Sequence, residues 1–210
     1  MKLVLIGAPA AGKGTQAGRL TKQYSIAHIS TGDMLREEVA KETELGMKAK
    51  EIMNAGGLIS DEIMVAMVEE RIKKDDCKNG FILDGFPRTV VQAEKLGELV
   101  SLDNVVYISA PDDVMLARLT ARETCSKCGE IYNRISTPSK EAGKCDHCGG
   151  ELTQRKDDTI EAGRIRIKTF YDQSEPLVEY YTNKGILLEV DGTAAIDDIT
   201  KAIVKGLGDM

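Results

Sequence analysis

The chain has 210 residues, of which 42% are hydrophobic and 30% charged, and these proportions are typical of a soluble globular protein. They exclude a disordered, a collagen-like and a membrane-spanning chain. The 28 Lys and Arg residues against 34 Asp and Glu residues give a net charge of −6, which argues against a protein that works on nucleic acid or on an anionic membrane. Gly7 and Pro9 interrupt the apolar amino terminus too soon for a signal peptide, so we expect a cytoplasmic protein.

Short apolar runs separated by helical patterns predict a parallel sheet built from βαβ units. The expected strands are Leu3–Ile6, Ile26–Ile29, Phe81–Leu83, Val105–Ile108 and Ile186–Val190, the second of them on the shortest pattern. Apolar spacings of three and four predict helices over Gly14–Tyr24, Asp33–Lys41, Gly46–Ala55, Asp61–Lys73, Val90–Val100, Asp112–Arg122 and Ile160–Thr182. The fold class is therefore α/β, a doubly wound parallel sheet of about five strands with helices on both faces.

A glycine-rich segment follows the first strand and precedes the first helix, in the order that a phosphate-binding loop requires. It reads Gly7-Ala8-Pro9-Ala10-Ala11-Gly12-Lys13-Gly14-Thr15. Backbone N–H groups wrap a polyphosphate where side chains are small, and Lys13 is placed to bridge the β and γ oxygens. Thr15 supplies the hydroxyl one position later than in the strict pattern. The alternative, a glycine-rich turn without a ligand, is disfavoured by the strand before it and the Lys-Gly-Thr within it.

The segment from Gly7 to Gln16 resembles the phosphate loop of adenylate kinases, and the resemblance extends over essentially the whole chain. It implies a P-loop fold and reversible phosphoryl transfer from Mg-ATP to AMP, which gives two ADP and balances the adenine nucleotides. The chain departs at Ala10, where that loop usually has a second Gly, and a methyl group there is unfavourable if the position needs a positive φ. The resemblance assigns ATP binding to Ala10, Ala11, Gly12, Lys13, Gly14, Thr15, Arg118, Arg122, Ile131, Tyr132 and Ala194.

A second motif, Asp84-Gly85-Phe86-Pro87-Arg88, follows an apolar strand at the point where open α/β sheets bind ligands. Asp84 is placed to hold Mg²⁺ through water, and Arg88 offers a planar fork to a phosphate. The motif is similar to the signature of nucleoside monophosphate kinases, and the resemblance places Gln92 on the adenine of AMP. It assigns AMP binding to Thr31, Arg36, Gly57, Leu58, Ile59, Gly85, Phe86, Pro87, Arg88, Gln92, Arg155 and Arg166. For Asp33 we expect a helix cap.

Four of the five cysteines form two Cys-x-x-Cys pairs in the polar segment 125–154. Cys125 and Cys128 are separated by sixteen residues from Cys145 and Cys148, a spacing typical of a structural zinc site. Disulfides are the less favoured alternative in a reducing compartment. Four cysteines leave no open coordination position, so the zinc is expected to stabilise the segment and take no part in the chemistry. Iron in place of zinc stays open.

Arginines flank the base of this cysteine-containing segment. Arg118 and Arg122 are expected at positions i and i+4 of one helix, and Gly163 is expected to interrupt the returning helix. The resemblance makes the segment a mobile lid in which Asp157 and Asp158 orient arginines. It assigns catalysis to Lys13, Asp84, Arg88, Arg122, Arg155 and Arg166.

The expected organisation has three parts: a core of residues 1–30, 60–121 and 159–210, a monophosphate-binding region of residues 31–59, and a zinc-binding lid of residues 122–158. We expect a monomer with ATP, AMP and ADP as ligands and without nucleic-acid or membrane partners. Two alternatives stay open. One is a nucleoside monophosphate kinase with another acceptor, and the other is a zinc-ribbon ATP-binding module without turnover.

Overall fold

The structure is a computed structural model that describes residues 1–208. A parallel sheet forms the centre of the molecule. The strands of the chain are β1 Lys2–Ile6, β2 Ala27–Ser30, β3 Phe81–Asp84, β4 Asn104–Ser109, β5 Arg122–Cys125, β6 Ile131–Asn133, β7 Leu152–Thr153 and β8 Leu187–Asp191. The central sheet has the order β2-β3-β1-β4-β8, and all four of its pairings are parallel. The predicted five strands and α/β fold class are confirmed.

The helices are α1 Lys13–Tyr24, α2 Thr31–Ala40, α3 Glu44–Asn54, α4 Asp61–Ile72, α5 Val90–Leu99, α6 Asp112–Thr120, α7 Ile160–Thr169, α8 Pro176–Asn183 and α9 Ile196–Leu207. The apolar runs of the three central strands are buried on both faces, and Val4, Ile82 and Val105 have no exposed surface. This burial fixes the carboxyl ends of β1 and β3 side by side, with Leu5 in register with Asp84. The loops that follow these two strands therefore lie together at one edge of the sheet.

Two helix predictions were wrong, and one helix was missed. The segment from Ile160 to Thr182 is two helices, because a π-helical turn at Phe170–Ser174 separates α7 from α8 and Pro176, in the first turn of α8, has no N–H to continue a helix. Helix α6 ends at Thr120, so Arg122 lies on a strand and does not share a helix with Arg118. Helix α9 was not predicted at all.

Gly163 does not interrupt α7, which is continuous from Ile160 to Thr169. A Cβ atom at Gly163 would lie 2.6 Å from Cδ2 of Leu119 and 2.9 Å from Cδ2 of Leu116. The glycine therefore permits close packing of α7 on α6, at the base of the cysteine-containing segment.

That segment folds around a small antiparallel sheet of its own, in the order β6-β5-β7. Its core is small, with Tyr132 and Leu152 packed beside Cys125 and Cys145. So few apolar side chains supply little hydrophobic stabilisation, which is the situation in which small folds depend on a metal. Within residues 1–208, no helix combines the length and the apolar character needed to cross a membrane.

Candidate active site and metal centre

The glycine-rich loop connects β1 to α1 and presents its backbone at the amino terminus of the helix. Gly7 has φ +154, and a Cβ atom there would lie 2.5 Å from the carbonyl oxygen of Ile108. Gly12, with φ +114, precedes the first helical residue, Lys13. Ala10 has φ +62, so the position does require the left-handed backbone that glycine adopts without strain. The loop thus has the shape of an anion cradle, with one strained alanine in it.

Lys13 lies within this loop, and its ammonium group donates hydrogen bonds to the carbonyl oxygens of Gly7 at 2.7 Å and Ala8 at 2.9 Å. Burial lowers the pKa of Lys13 to about 8; the charge of Asp84 opposes this shift, and the charge of Arg88 adds to it. A buried ammonium beside another cation is stabilised by an anion such as a phosphate.

Asp84, at the carboxyl end of β3, lies beside the loop, with its Oδ2 atom 3.6 Å from the position of a Cβ on Gly14. Burial acts to raise the pKa of Asp84, but a hydrogen bond from His28 and the charge of Lys13 outweigh it, so the pKa is lowered. The Nε2 atom of His28 is 3.6 Å from Oδ2 of Asp84. Carboxylate and hydroxyl oxygens are ligands that Mg²⁺ prefers, so an ionised Asp84 next to the phosphate loop fits a magnesium ion held jointly with phosphate.

One cavity runs from the phosphate loop to the amino terminus of α5. Both Lys13 and Gln92 line it. The cavity brings together all of the predicted AMP-binding residues except Phe86 and Arg155: Thr31, Arg36, Gly57, Leu58, Ile59, Gly85, Pro87, Arg88, Gln92 and Arg166. Thr31 is fully buried and donates to the carbonyl oxygen of Gly85 at 2.9 Å, which joins α2 to the loop after β3.

Arginines line this cavity or lie close to it. Burial lowers the pKa of Arg88 to about 10, and the charge of Arg166 adds to the shift while that of Asp84 opposes it. The pKa of Arg155 is also lowered to about 10, by burial and by the charge of Arg122. Guanidinium groups that are buried together and lower one another's pKa are repelling charges, and a bound phosphate would relieve that repulsion.

Two aspartates hold the arginines near the base of the lid. Asp158 has no exposed side-chain surface, and its carboxylate accepts from Arg122 Nε at 2.8 Å and Nη2 at 2.5 Å. Asp157 accepts from Arg166 Nη1 at 2.8 Å, and Asp158 accepts from the same atom at 3.4 Å. The predicted contact of both aspartates with arginines is confirmed. It fixes the two guanidinium planes before any ligand arrives.

The small sheet lies over the phosphate loop. The Cδ1 atom of Ile131 is 3.3 Å from the position of a Cβ on Gly14, so β6 touches the loop. The neighbouring Tyr132 is turned the other way and is 9% exposed, with its hydroxyl accepting from the backbone N–H of Asp146 at 2.8 Å. Ile131 and Tyr132, to which the resemblance assigns ATP binding, therefore have different surroundings.

The turn that contains Ala194 lies on the other side of the phosphate loop. A Cβ atom on Gly192 would be 2.9 Å from the carbonyl oxygen of Ala11, so the turn packs against the loop. Arg118 is close enough to the turn for its charge to contribute to the lowered pKa of Asp191, after the hydrogen bonds that the carboxylate accepts from Thr193. Ala194 itself is exposed.

The four cysteines of the lid meet at one point, with all four Sγ atoms within 4.8 Å of one another. Cys125 and Cys148 are 3.5 Å apart at sulfur, and Cys128 and Cys145 are 3.6 Å apart. Tetrahedral coordination with Zn–S bonds of about 2.3 Å requires sulfur separations of about 3.8 Å, so the arrangement fits zinc. The cysteines are free thiols and form no disulfide.

The two Cys-x-x-Cys turns have the same backbone hydrogen bonds. The N–H of Gly129 donates to the carbonyl oxygen of Cys125 at 3.0 Å, and that of Gly149 to Cys145 at 2.9 Å. Both glycines have positive φ, at 76° and 69°. Glycine adopts this conformation without strain, and the repetition gives two equivalent halves of one metal site. His147, between the second pair of cysteines, is exposed, and the fifth cysteine, Cys77, is buried.

Several polar residues acquire defined partners that were not predicted from the sequence. Asp61 accepts a hydrogen bond from Gln92, and His28 contacts Asp84. Buried Gln16 joins α1 to α9 by donating to the carbonyl oxygen of Ile196 at 3.1 Å. The helix cap that was expected of Asp33 is wrong: Ser30 caps α2 by accepting from the N–H of Asp33, whose side chain pairs with Arg36.

A phosphate loop that faces a cavity lined with arginines defines a P-loop protein that holds two phosphorylated ligands against each other. Comparison with known proteins narrows the class. The sequence model of the family described as adenylate kinase matches residues 5–186.

Similar proteins include the adenylate kinases of Thermodesulfovibrio yellowstonii, 51% identical over 97% of both chains, and of Archaeoglobus fulgidus, 50% identical over 97% of this chain and 96% of the relative. The adenylate kinase of Caldicellulosiruptor bescii is 49% identical over 99% of both chains. The chain belongs to the adenylate kinase family.

Proposed function

We propose that this chain transfers the γ-phosphoryl group of Mg-ATP to AMP, reversibly giving two ADP. The observation that carries the proposal is the single cavity lined by Lys13 of the phosphate loop, by Arg88 and Arg166, and by Gln92. Two nucleotides bound in this one cavity beside its cations would have their phosphates close together, which is the geometry that direct transfer needs. In the cell this activity balances the adenine nucleotides.

On the donor side, the loop residues Ala10, Ala11, Gly12, Lys13, Gly14 and Thr15 hold the phosphates of ATP. Lys13 exchanges its hydrogen bonds to Gly7 and Ala8 for bonds to phosphate oxygens. Arg118, Ile131, Tyr132 and Ala194 complete the ATP site around the adenosine. Asp84 would hold magnesium, which would supply charge neutralisation of the phosphate oxygens.

On the acceptor side, Arg36 and Arg88 bind the phosphate of AMP while Gln92 binds adenine. The remaining residues of the AMP site are Thr31, Gly57, Leu58, Ile59, Gly85, Phe86, Pro87, Arg155 and Arg166. An AMP phosphate oxygen attacks the γ-phosphorus in line, and the bond from that phosphorus to the leaving ADP oxygen breaks. The attacking phosphate is already ionised, so no general base is required.

Arginines stabilise the charge that spreads over the transferring group. Arg122 and Arg166 are close enough to Lys13 for their charges to lower its pKa, and Arg155 lies near Arg122. Because Asp157 and Asp158 hold Arg122 and Arg166 in place, these two arginines need little reorganisation during the reaction. The lid of residues 122–158 and the region of residues 31–59 close over the core to exclude water, which would otherwise accept the phosphoryl group. The contact between Ile131 and the phosphate loop supports this role for the lid.

Zinc in the four-cysteine site stabilises the lid and does not take part in the chemistry, since four thiolates close its coordination shell. We further propose a cytoplasmic monomer. The free thiols suit a reducing compartment. The exposed large apolar side chains of the described residues are spread over four helices and the lid, for example Met47 on α3, Val91 on α5 and Ile135 in the lid.

The test measures ADP formation from Mg-ATP with AMP, GMP, CMP or UMP, with ATP alone as the control for hydrolysis. We expect rapid ADP formation with AMP and very little without an acceptor. Preference for another monophosphate would reassign the acceptor, and ATP binding without transfer would favour a binding module. The variant Arg88→Ala should lose most activity, whereas Arg134→Ala, on an exposed lid arginine, should retain it.

A further inference from the structure

The side-chain amide of Gln92 is almost fully buried, yet both of its ends have protein partners. Its Oε1 atom accepts from the backbone N–H of Arg88 at 2.7 Å. Its Nε2 atom donates to Oδ1 of Asp61, also at 2.7 Å. An amide group has nearly the same shape after a 180° flip, so hydrogen-bond partners alone determine which end carries the oxygen.

These two partners permit one orientation only. A backbone N–H can only donate, so the oxygen of Gln92 must face Arg88. A carboxylate can only accept, so the nitrogen must face Asp61. In the flipped orientation two N–H groups would face each other at Arg88 and two oxygens at Asp61, both buried and both unfavourable.

Asp61 is itself held in place. It is the first residue of α4, where the helix dipole favours a negative charge. The hydroxyl of Thr89 donates to Oδ1 of Asp61 at 3.1 Å and accepts from the N–H of Gln92 at 3.2 Å. Asp61, Thr89 and Gln92 thus form a closed ring of hydrogen bonds that joins the amino termini of α4 and α5.

The ring leaves one lone pair on Oε1 and one hydrogen on Nε2 of Gln92, which lines the cavity. A 6-aminopurine presents an amino donor and the N1 acceptor, which complement this pair. A 6-oxopurine presents the reverse, an O6 acceptor and an N1–H donor, and would complement only the flipped amide.

We propose that Asp61 is a specificity-determining positioning residue: it fixes the orientation of the Gln92 amide and thereby selects 6-aminopurine over 6-oxopurine monophosphates. The inference rests on the proposed role of Gln92 in binding the base. Asp61 does not touch the nucleotide. It acts through the amide that does.

The experiment uses full-length Asp61→Ala and Asp61→Asn, with kcat/KM measured for AMP and for IMP at saturating Mg-ATP. We expect Asp61→Ala to lower the AMP-to-IMP ratio at least about tenfold, because one of the two groups that fix the amide is gone. Asp61→Asn keeps an acceptor oxygen for Gln92 and should recover most of the ratio. The KM for ATP should not change in either variant.

Asp112→Ala is the matched control, because Asp112 is also the first residue of a helix and accepts from a hydroxyl, that of Tyr171, at 2.8 Å. This variant should keep the wild-type ratio. If Asp61→Ala does not fold, we expect the same lower ratio for Asp61→Leu, because leucine is similar in size to aspartate and has no acceptor. A fall in the catalytic constants for AMP and IMP by the same factor would mean a merely structural role and would overturn the proposal.

Gln92→Ala distinguishes the positioning role of Asp61 from the base-binding role of Gln92. If it lowers the ratio while Asp61→Ala does not, the positioning role of Asp61 is wrong and the proposed AMP site stands. If Gln92→Ala leaves the ratio unchanged, the base-binding role of Gln92 fails, and the inference fails with it.

Discussion

Replacing Ala10 by glycine tests how the phosphate loop is built. Ala10 has φ +62, a left-handed conformation that costs a residue with a Cβ about 1 to 2 kcal/mol. Glycine removes this strain, but its greater freedom in the unfolded chain costs about 0.4 to 1 kcal/mol. From the middle of each range, the net gain in free energy of unfolding for Ala10→Gly is about 0.8 kcal/mol. For a chain of this length we expect the melting temperature to rise by about 1 to 4 °C.

Ser25→Gly is the matched control, because Ser25 has φ +53 at the end of α1, away from the phosphates. Differential scanning calorimetry should give similar increases for both variants. Initial rates should distinguish them: Ala10→Gly removes a methyl group from the phosphate loop and should lower the KM for ATP, whereas Ser25→Gly should leave it unchanged. Relief of backbone strain alone acts equally on the free and the ATP-bound enzyme and changes only stability. A lower melting temperature for Ala10→Gly alone would refute the reasoning, since it would mean that the methyl group packs favourably.

Three other perturbations test the charges and the metal. Because the pKa of Lys13 is lowered to about 8, kcat/KM for ATP should fall as the pH rises through 8. The decrease should be absent from the pH profile of Lys13→Arg. The buried ammonium costs folding free energy, and this cost should diminish as the pH rises from 8 towards the ordinary lysine pKa of 10.5. Asp158→Ala leaves the partly buried Arg122 without its partner and should lower the free energy of urea unfolding by about 3 to 5 kcal/mol. Glu123→Ala breaks the exposed pair with Arg134, 3.4 Å apart, and should lower it by less than about 1 kcal/mol. Equal losses would contradict the burial of the pair between Asp158 and Arg122. A chelator should release about one zinc per chain and lower the melting temperature more than the initial rate at low temperature, and no change in either would mean that the cysteines hold no metal.

The sequence predicted those features whose chemistry is contained in a few consecutive residues. The phosphate loop carries its glycines, its lysine and its hydroxyl within nine positions, and each Cys-x-x-Cys turn carries its own glycine. The strands were predictable because a strand buried on both faces is apolar at every position, as in Leu3–Ile6. Helix α9 also has a local apolar pattern, since Ile196, Ile199 and Ile203 stand at helical spacing, and this pattern could have predicted it.

The errors arose where tertiary contacts override a local pattern. Gly163 has a low helix propensity, yet α7 continues through it, and glycine fits there because a larger residue would collide with Leu119 on the adjacent helix. Arg122 follows a helical pattern, but it pairs with Asp158, thirty-six positions away, from the first position of a strand. Propensity is a weak prior, and packing between distant segments decided both positions.

The residues that the sequence did not assign to the site have a common property: the partner that defines each role is distant in the chain. His28 acquires its role from Asp84, Asp61 from Gln92, and Gln16 from Thr200, whose hydroxyl donates to Oε1 of Gln16 at 2.7 Å. A histidine on a strand, an aspartate at a helix start and a glutamine inside a helix are all ordinary in their local settings. Because a parallel sheet places the carboxyl ends of its strands at one edge, segments far apart in sequence meet there and give these side chains their partners. Residues that position the binding groups are therefore harder to find in a sequence than the binding groups themselves.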